Sequence, residues 1–261
     1  MHKHVYDNNQ AVIRWQGIQF DDCDEFKAFM ENDVASRLHD EAGKADFTSH
    51  LNSLASTGFA QASLQAILQA EQPEERDWAV GEAIAEAWLS REHGVVWPWN
   101  TERDKRTPRA SLPGADLIGF VTLGDESRLL LGEVKSSCDP KTPPNVMYGQ
   151  KGITQQLENL ATDLALLNTL IRWLQPRCCC NPIYQPIFDS ACMLLLQSGN
   201  KAVAFFGVLV RDTRPNELDL SSRAQHLSSI IKTPANCNLF TLYLPCSITS
   251  LPKLVKRSAI P

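Results

Sequence analysis

Asp116, Glu133 and Lys135 are the residues of this 261-residue chain whose types and spacing best suit one chemistry. On a strand, residues two apart point to the same side, so Glu133 and Lys135 face one way and Val134 the other. Asp116 opens a strand-like run, Asp116 to Leu123, and a second, Arg128 to Lys135, follows Gly124-Asp125-Glu126-Ser127. That segment has the length and composition of a hairpin loop, so the chain returns Glu133 beside Asp116. Two carboxylates and an ammonium forced together are costly unless a cation or a substrate uses them. Mg²⁺ takes oxygen ligands, keeps several waters and binds one or two carboxylates together with phosphate oxygens. Asp116, Glu133 and the carbonyl of Val134 suit it, with Mn²⁺ able to substitute, and Lys135 would orient a water or meet developing charge. Phosphodiester hydrolysis is the reaction that uses all of these groups.

Two helical residues extend the set. Glu82 has Trp78, Ala79, Ala85 and Glu86 as its helical neighbours, so it borders an apolar stripe and could reach the strands as a further metal-site carboxylate. Glu86, one turn on, reads as the more exposed of the two. Gln156 is flanked at helical spacing by Ile153 and Leu160 and reads as inward-facing, whereas Gln155 falls with Glu158 and Asn159 on the wet side.

The elements that must hold these groups follow from periodicity. Val5 to Phe20 reads as extended. Asp22 to Ala42 and Thr48 to Ala70 carry helical spacing, and together they predict a helical amino-terminal layer. Glu74 to His93 predicts a helix ending at Gly94. A short apolar stretch, Val95 to Trp99, and a charged loop, Asn100 to Pro113, lead into the hairpin. Past the proline-rich Pro140 to Pro144, one long helix is predicted over Gly152 to Leu174. Ala202 to Val210 and Leu239 to Leu244 read as strands, and Ala191 to Leu196 fits either element. The whole is an α/β chain with a mixed sheet flanked by helices.

Composition narrows the function classes. With 43% hydrophobic and 21% charged residues the chain is globular, not collagen-like, disordered or a small disulfide scaffold. Twenty-five basic against 30 acidic residues leave a net charge of -5, so any contact with a polyanion must be local. Arg103, Lys105, Arg106 and Arg109 form such a local cluster and are candidate DNA contacts, although charge runs usually only face water. Trp97 and Trp99, alternating around Pro98, read as core rather than base-stacking residues. Cys178, Cys179 and Cys180 are adjacent, which suits neither a disulfide framework nor one tetrahedral zinc. No apolar run approaches a bilayer span and Met1 to Gln10 is polar, so a soluble cytoplasmic protein with no membrane contact is expected.

The pattern Gly81-Glu82 on a helix, Ala115-Asp116 at a strand start, Glu133-Val134-Lys135 on the next strand and Gln156-Leu157 on a following helix resembles the PD-(D/E)xK nuclease superfamily. The resemblance spans about Glu74 to Leu174. It implies a restriction-endonuclease-like αβββαβ core, with Mg²⁺ on the Asp and the Glu, the Lys assisting the nucleophile, and the helical Glu and Gln in support. Those roles fall on Asp116, Glu133, Lys135, Glu82 and Gln156. The proline of the motif lies three residues before Asp116 rather than next to it, and Leu160 stands where one branch carries tyrosine. The order Gly-Glu, Gly-Ala-Asp, Leu-Gly-Glu-Val-Lys is also similar to the HamA-like nuclease subunits of Hachiman-type anti-phage systems, which work with a helicase. The resulting expectation is a helical region over residues 1–73, a nuclease-like domain over 74–261, and DNA cleavage with a helicase or other DNA-binding partner. The competing reading is a scaffold subunit that keeps the fold without turnover and holds nucleic acid or a protein partner.

Overall fold

The computed structural model describes residues 1–70, 77–104 and 114–255. The chain opens with a hairpin of β1 (His2–Gln10) and β2 (Ile13–Phe20), turned at Ala11 with φ 54. The single extended segment expected over Val5 to Phe20 is therefore two strands. Helical segments follow: α1 (Asp24–Ala28) runs through a π-turn (Phe29–Val34) into α2 (Ala35–Leu38), then come α3 (Glu41–Leu54) and α4 (Gly58–Gln69). Helix α5 (Asp77–His93) and the short α6 (Thr101–Asp104) precede the predicted hairpin, β3 (Leu117–Leu123) and β4 (Glu126–Ser137). Leu123 pairs with Glu126, so the turn itself is Gly124-Asp125, with Gly124 at φ 61.

The long helix predicted over Gly152 to Leu174 is two helices, α7 (Ile153–Thr162) and α8 (Leu164–Cys178). Asp163 makes the break: its carboxylate accepts the backbone N–H groups of Ala165 and Leu166 at 2.8 and 3.0 Å and so caps α8. Ala191 to Leu196 lies in helix α9 (Tyr184–Gln197). The remaining elements are β5 (Val203–Arg211), α10 (Ser221–Ile230), β6 (Asn236–Tyr243) and α11 (Leu251–Leu254).

Among the described residues the strands form one six-stranded mixed sheet in the order β1-β2-β6-β5-β4-β3. The two outer pairs are antiparallel, while β2, β6, β5 and β4 run parallel. All nine residues of β5 are buried, as a central parallel strand covered on both faces requires. Helix α5 covers the face bearing Val134 and Ser136, and a Cβ at Gly81 would collide with Ser136 Oγ. Helix α7 covers the face bearing Glu133, because Gly207, the β5 partner of Glu133, sits where a Cβ would lie 3.0 Å from Leu157. Trp97 and Trp99 are buried as expected, their indole N–H groups donating to the carbonyls of Glu86 and Ile118. No helix among the described residues is long and apolar enough to cross a membrane.

Candidate active site

The carboxyl-terminal half of β4 carries the expected group. Asp116 sits just before β3, where its N–H donates to the Gly132 carbonyl at 3.1 Å and anchors the residue to the neighbouring strand. Its carboxylate accepts the Val134 N–H at 3.0 Å and lies 3.5 Å from Lys135 Nζ. Lys135 also donates to Glu133 Oε1, so one ammonium bridges two carboxylates. Alternation puts Glu133 and Lys135 on one face, and the short Gly124-Asp125 turn fixes the register that returns them to Asp116.

The electrostatics are unbalanced. Glu133 is 6% exposed, and burial followed by the charge of Asp116 pushes its carboxyl up to about 7. Burial alone would pull the Lys135 ammonium down, yet the two carboxylates outweigh it and leave its pKa above the ordinary value. The cluster thus holds two acids against one permanent cation. It opens onto a cavity of about 760 Å³ lined by Glu82, Asp116, Lys135, Asp139 and Asn145, with Trp78 at one side. Glu82 lines this cavity from α5, whereas Glu133 and Lys135 project from the opposite face of the sheet.

The donor set fits a hard divalent cation. Every candidate side-chain ligand is a carboxylate, the cluster carries excess negative charge, and the cavity leaves space for waters and a phosphate. Among the described residues no three His, Cys, Asp or Glu side chains converge as a ready protein-only metal cage. Asp116 and Glu133 are therefore the paired ligands on offer, with Glu82 farther across the cavity.

The other expected residues are placed less closely. Gln156, half-buried on α7, donates its amide to the Gln150 carbonyl at 2.9 Å and forms no hydrogen bond with the three central groups. Val134 meets Asp116 through its N–H. Arg103 lies exposed on α6 against Asp104 and Asp40, and it lines a different cavity of about 1040 Å³. Lys105, Arg106 and Arg109 lie outside the described residues. Glu86, read from sequence as the more exposed glutamate of α5, is fully buried and receives Arg37 Nε at 2.6 Å. Its partner lies 49 positions away, beyond the reach of helical periodicity. Sequence reasoning also passed over Asp139 and Asn145, whose only local signal is their place in a proline-rich loop directly after the Glu-x-Lys strand.

The fold and site, among the described residues, define an α/β protein with a six-stranded mixed sheet, flanking helices and an acid-rich cleft at the end of β4, the strand next to the sheet edge. No protein-family model and no curated protein matches the sequence.

Proposed function

We propose that this chain is a Mg²⁺-dependent nuclease with a restriction-endonuclease-like core, hydrolysing DNA phosphodiester bonds. The observation that carries the reading is the convergence of Asp116, Glu133 and Lys135 beside an open cleft. The proposed core is α5, the hairpin β3–β4, α7 and the parallel strand β5. The first of its three expected strands is reduced to one bridge, Val96 to Phe120, in the apolar stretch before the hairpin.

Asp116 and Glu133 would hold Mg²⁺, with the Val134 carbonyl beside them and Glu82 supporting from α5. Bound there, the ion would supply Lewis acidity toward the scissile phosphate and would lower the pKa of a water. Lys135, already above its ordinary pKa, stays protonated and meets charge developing on the phosphate oxygens. Gln156 is the weakest member of the supporting set, since its amide is committed to a loop carbonyl. A net charge of -5 argues against strong DNA binding by the chain alone, which favours a helicase or other DNA-binding subunit that delivers substrate, as in an anti-phage defence complex.

The test is cleavage of plasmid, linear and single-stranded DNA, and of RNA, with Mg²⁺ or Mn²⁺, by the chain and by Glu133→Ala and Lys135→Ala. Metal-dependent cleavage of DNA lost in both variants supports the reading. Cleavage unchanged by both would remove the site, and absence of cleavage even with candidate partner subunits would leave a nucleic-acid-holding scaffold.

A further inference from the structure

Arg211, at the end of β5, is 1% exposed. The strand register pairs Lys135 with Leu209 and Ser137 with Arg211, so Arg211 lies on the Glu133–Lys135 face, one step beyond the catalytic lysine. A buried guanidinium must be satisfied by fixed partners. Its Nε donates to Thr213 Oγ1 at 3.0 Å, and both terminal nitrogens reach the Lys141 carbonyl at 3.3 Å. Asp219, fully buried, lies 3.7 Å away and is itself held by the Tyr243 hydroxyl at 2.8 Å.

Lys141 is the centre of the loop that walls the cleft. The Asp139 carboxylate accepts the N–H groups of Lys141 and Asn145 at 3.0 and 3.1 Å, and Asp139 and Asn145 both line the cavity. The loop is thus tied twice: Asp139 closes it on itself, and Arg211 fastens its middle carbonyl to the end of the sheet. A buried ion pair is often no more stabilising than apolar residues of the same volume, so the expected gain here is geometric. A lysine could not repeat the fork over Thr213 and the Lys141 carbonyl.

We propose that Arg211 is a positioning residue for the cleft, acting through the Asp139–Asn145 loop on how substrate is seated, while Asp116 and Glu133 are set independently by the strands. The kinetic part rests on the nuclease reading; the structural part does not.

The experiment compares Arg211→Met, Arg211→Lys, Asp139→Ala and the Arg211→Met/Asp139→Ala double variant by amide hydrogen exchange and by cleavage kinetics over a Mg²⁺ titration. Exchange over residues 139–147 should accelerate in each Arg211 variant. The value of kcat/KM should fall about tenfold, since misplacing a positioning wall by about an ångström costs up to 10²-fold. The Mg²⁺ concentration giving half-maximal rate should not move. The double variant should lose no more than the worse single variant, as expected for residues acting through one loop. Wild-type exchange in a folded Arg211→Met or Arg211→Lys protein overturns the proposal, as do additive losses or a metal requirement that rises with the loss of rate. Where Arg211→Met does not fold, Arg211→Lys decides by the same criteria. If the wild-type chain cleaves nothing even with candidate partner subunits, the nuclease reading fails, while loop exchange still decides what Arg211 does.

Discussion

Two of the buried clusters that pair carboxylate with cation in this protein are built to opposite ends. Glu86 on α5 is fully buried against Arg37, whose guanidinium lies 5.8 and 5.2 Å from the ring centroids of Trp97 and Trp99. This acid and base are packed against aromatics. At the end of β4, Asp116 and Glu133 share the single ammonium of Lys135 and open onto a cavity. Burial and the neighbouring Asp116 drive the Glu133 carboxyl up to about 7. Charge balance, more than burial, separates the two: Arg37 matches Glu86, whereas two acids share Lys135 and, in the proposed reading, would take up a cation.

The largest effect tests the balanced pair. Arg37→Ala strands a buried carboxylate and should destabilise the fold by about 3–5 kcal/mol in urea unfolding, with the activity of the folded fraction retained. Next, Lys135→Ala should lower the cleavage rate on the order of 10²–10³-fold at saturating Mg²⁺ with circular dichroism unchanged. If both variants lose activity and stability in the same proportion, the contrast between the clusters is wrong.

Glu133→Gln sharpens the comparison through pH. The folded state raises the Glu133 pKa from 4.5 to about 7, so folding favours the protonated form. The resulting penalty is absent below pH 4.5, grows as the pH rises through the interval, and is complete above about 7. Glu133→Gln should therefore be more stable than the wild type at pH 8, with the difference vanishing below pH 4.5, although its cleavage is lost. Mg²⁺ should raise the stability of the wild type at pH 8 and leave Glu133→Gln nearly unaffected. Glu86→Gln, by contrast, should destabilise at both pH values. Equal responses of the two glutamates would erase the distinction.

Smaller effects rank the supporting residues. Glu82→Ala should cost about tenfold in rate or in metal requirement, as outer supports of metal sites do. Gln156→Ala should change stability by less than about 0.5 kcal/mol and the rate by no more than about twofold, because its amide serves a loop carbonyl. A larger loss at Gln156 than at Glu82 would invert that order.

How much of this was legible in sequence depends on the range of the interaction. Asp116, Glu133 and Lys135 were found because strand alternation and a short hairpin loop act over about twenty positions, and the structure brings those three side chains together while tightening the expected four-residue loop to a two-residue turn. Helix α5 ends at His93 before Gly94 as predicted, and the Glu74 to Arg76 part of that prediction lies outside the described residues. The division at Asp163 was hidden because the leucine spacing continues across it, although Leu164 is 63% exposed and belongs to no buried stripe. The burial of Glu86 was misread because its helical neighbours, Glu82, Ala83, Leu89 and Ser90, are a mixed set, and the partner that makes burial tolerable comes from α2.

By itself the sequence determined the local chemistry: which residues alternate on β4, where the hairpin turns, and which acids a lysine must accompany. Those are consequences of dihedral geometry and spacing two residues at a time. Only the tertiary structure decided that β2 pairs with β6 to put the amino-terminal hairpin in the same sheet, that Glu86 is sealed away while Glu82 faces the cleft, and that Arg211 ties down the cleft loop. Each of these joins segments tens to hundreds of residues apart, where strand pairing and the solvation of buried charge act on neighbours in space.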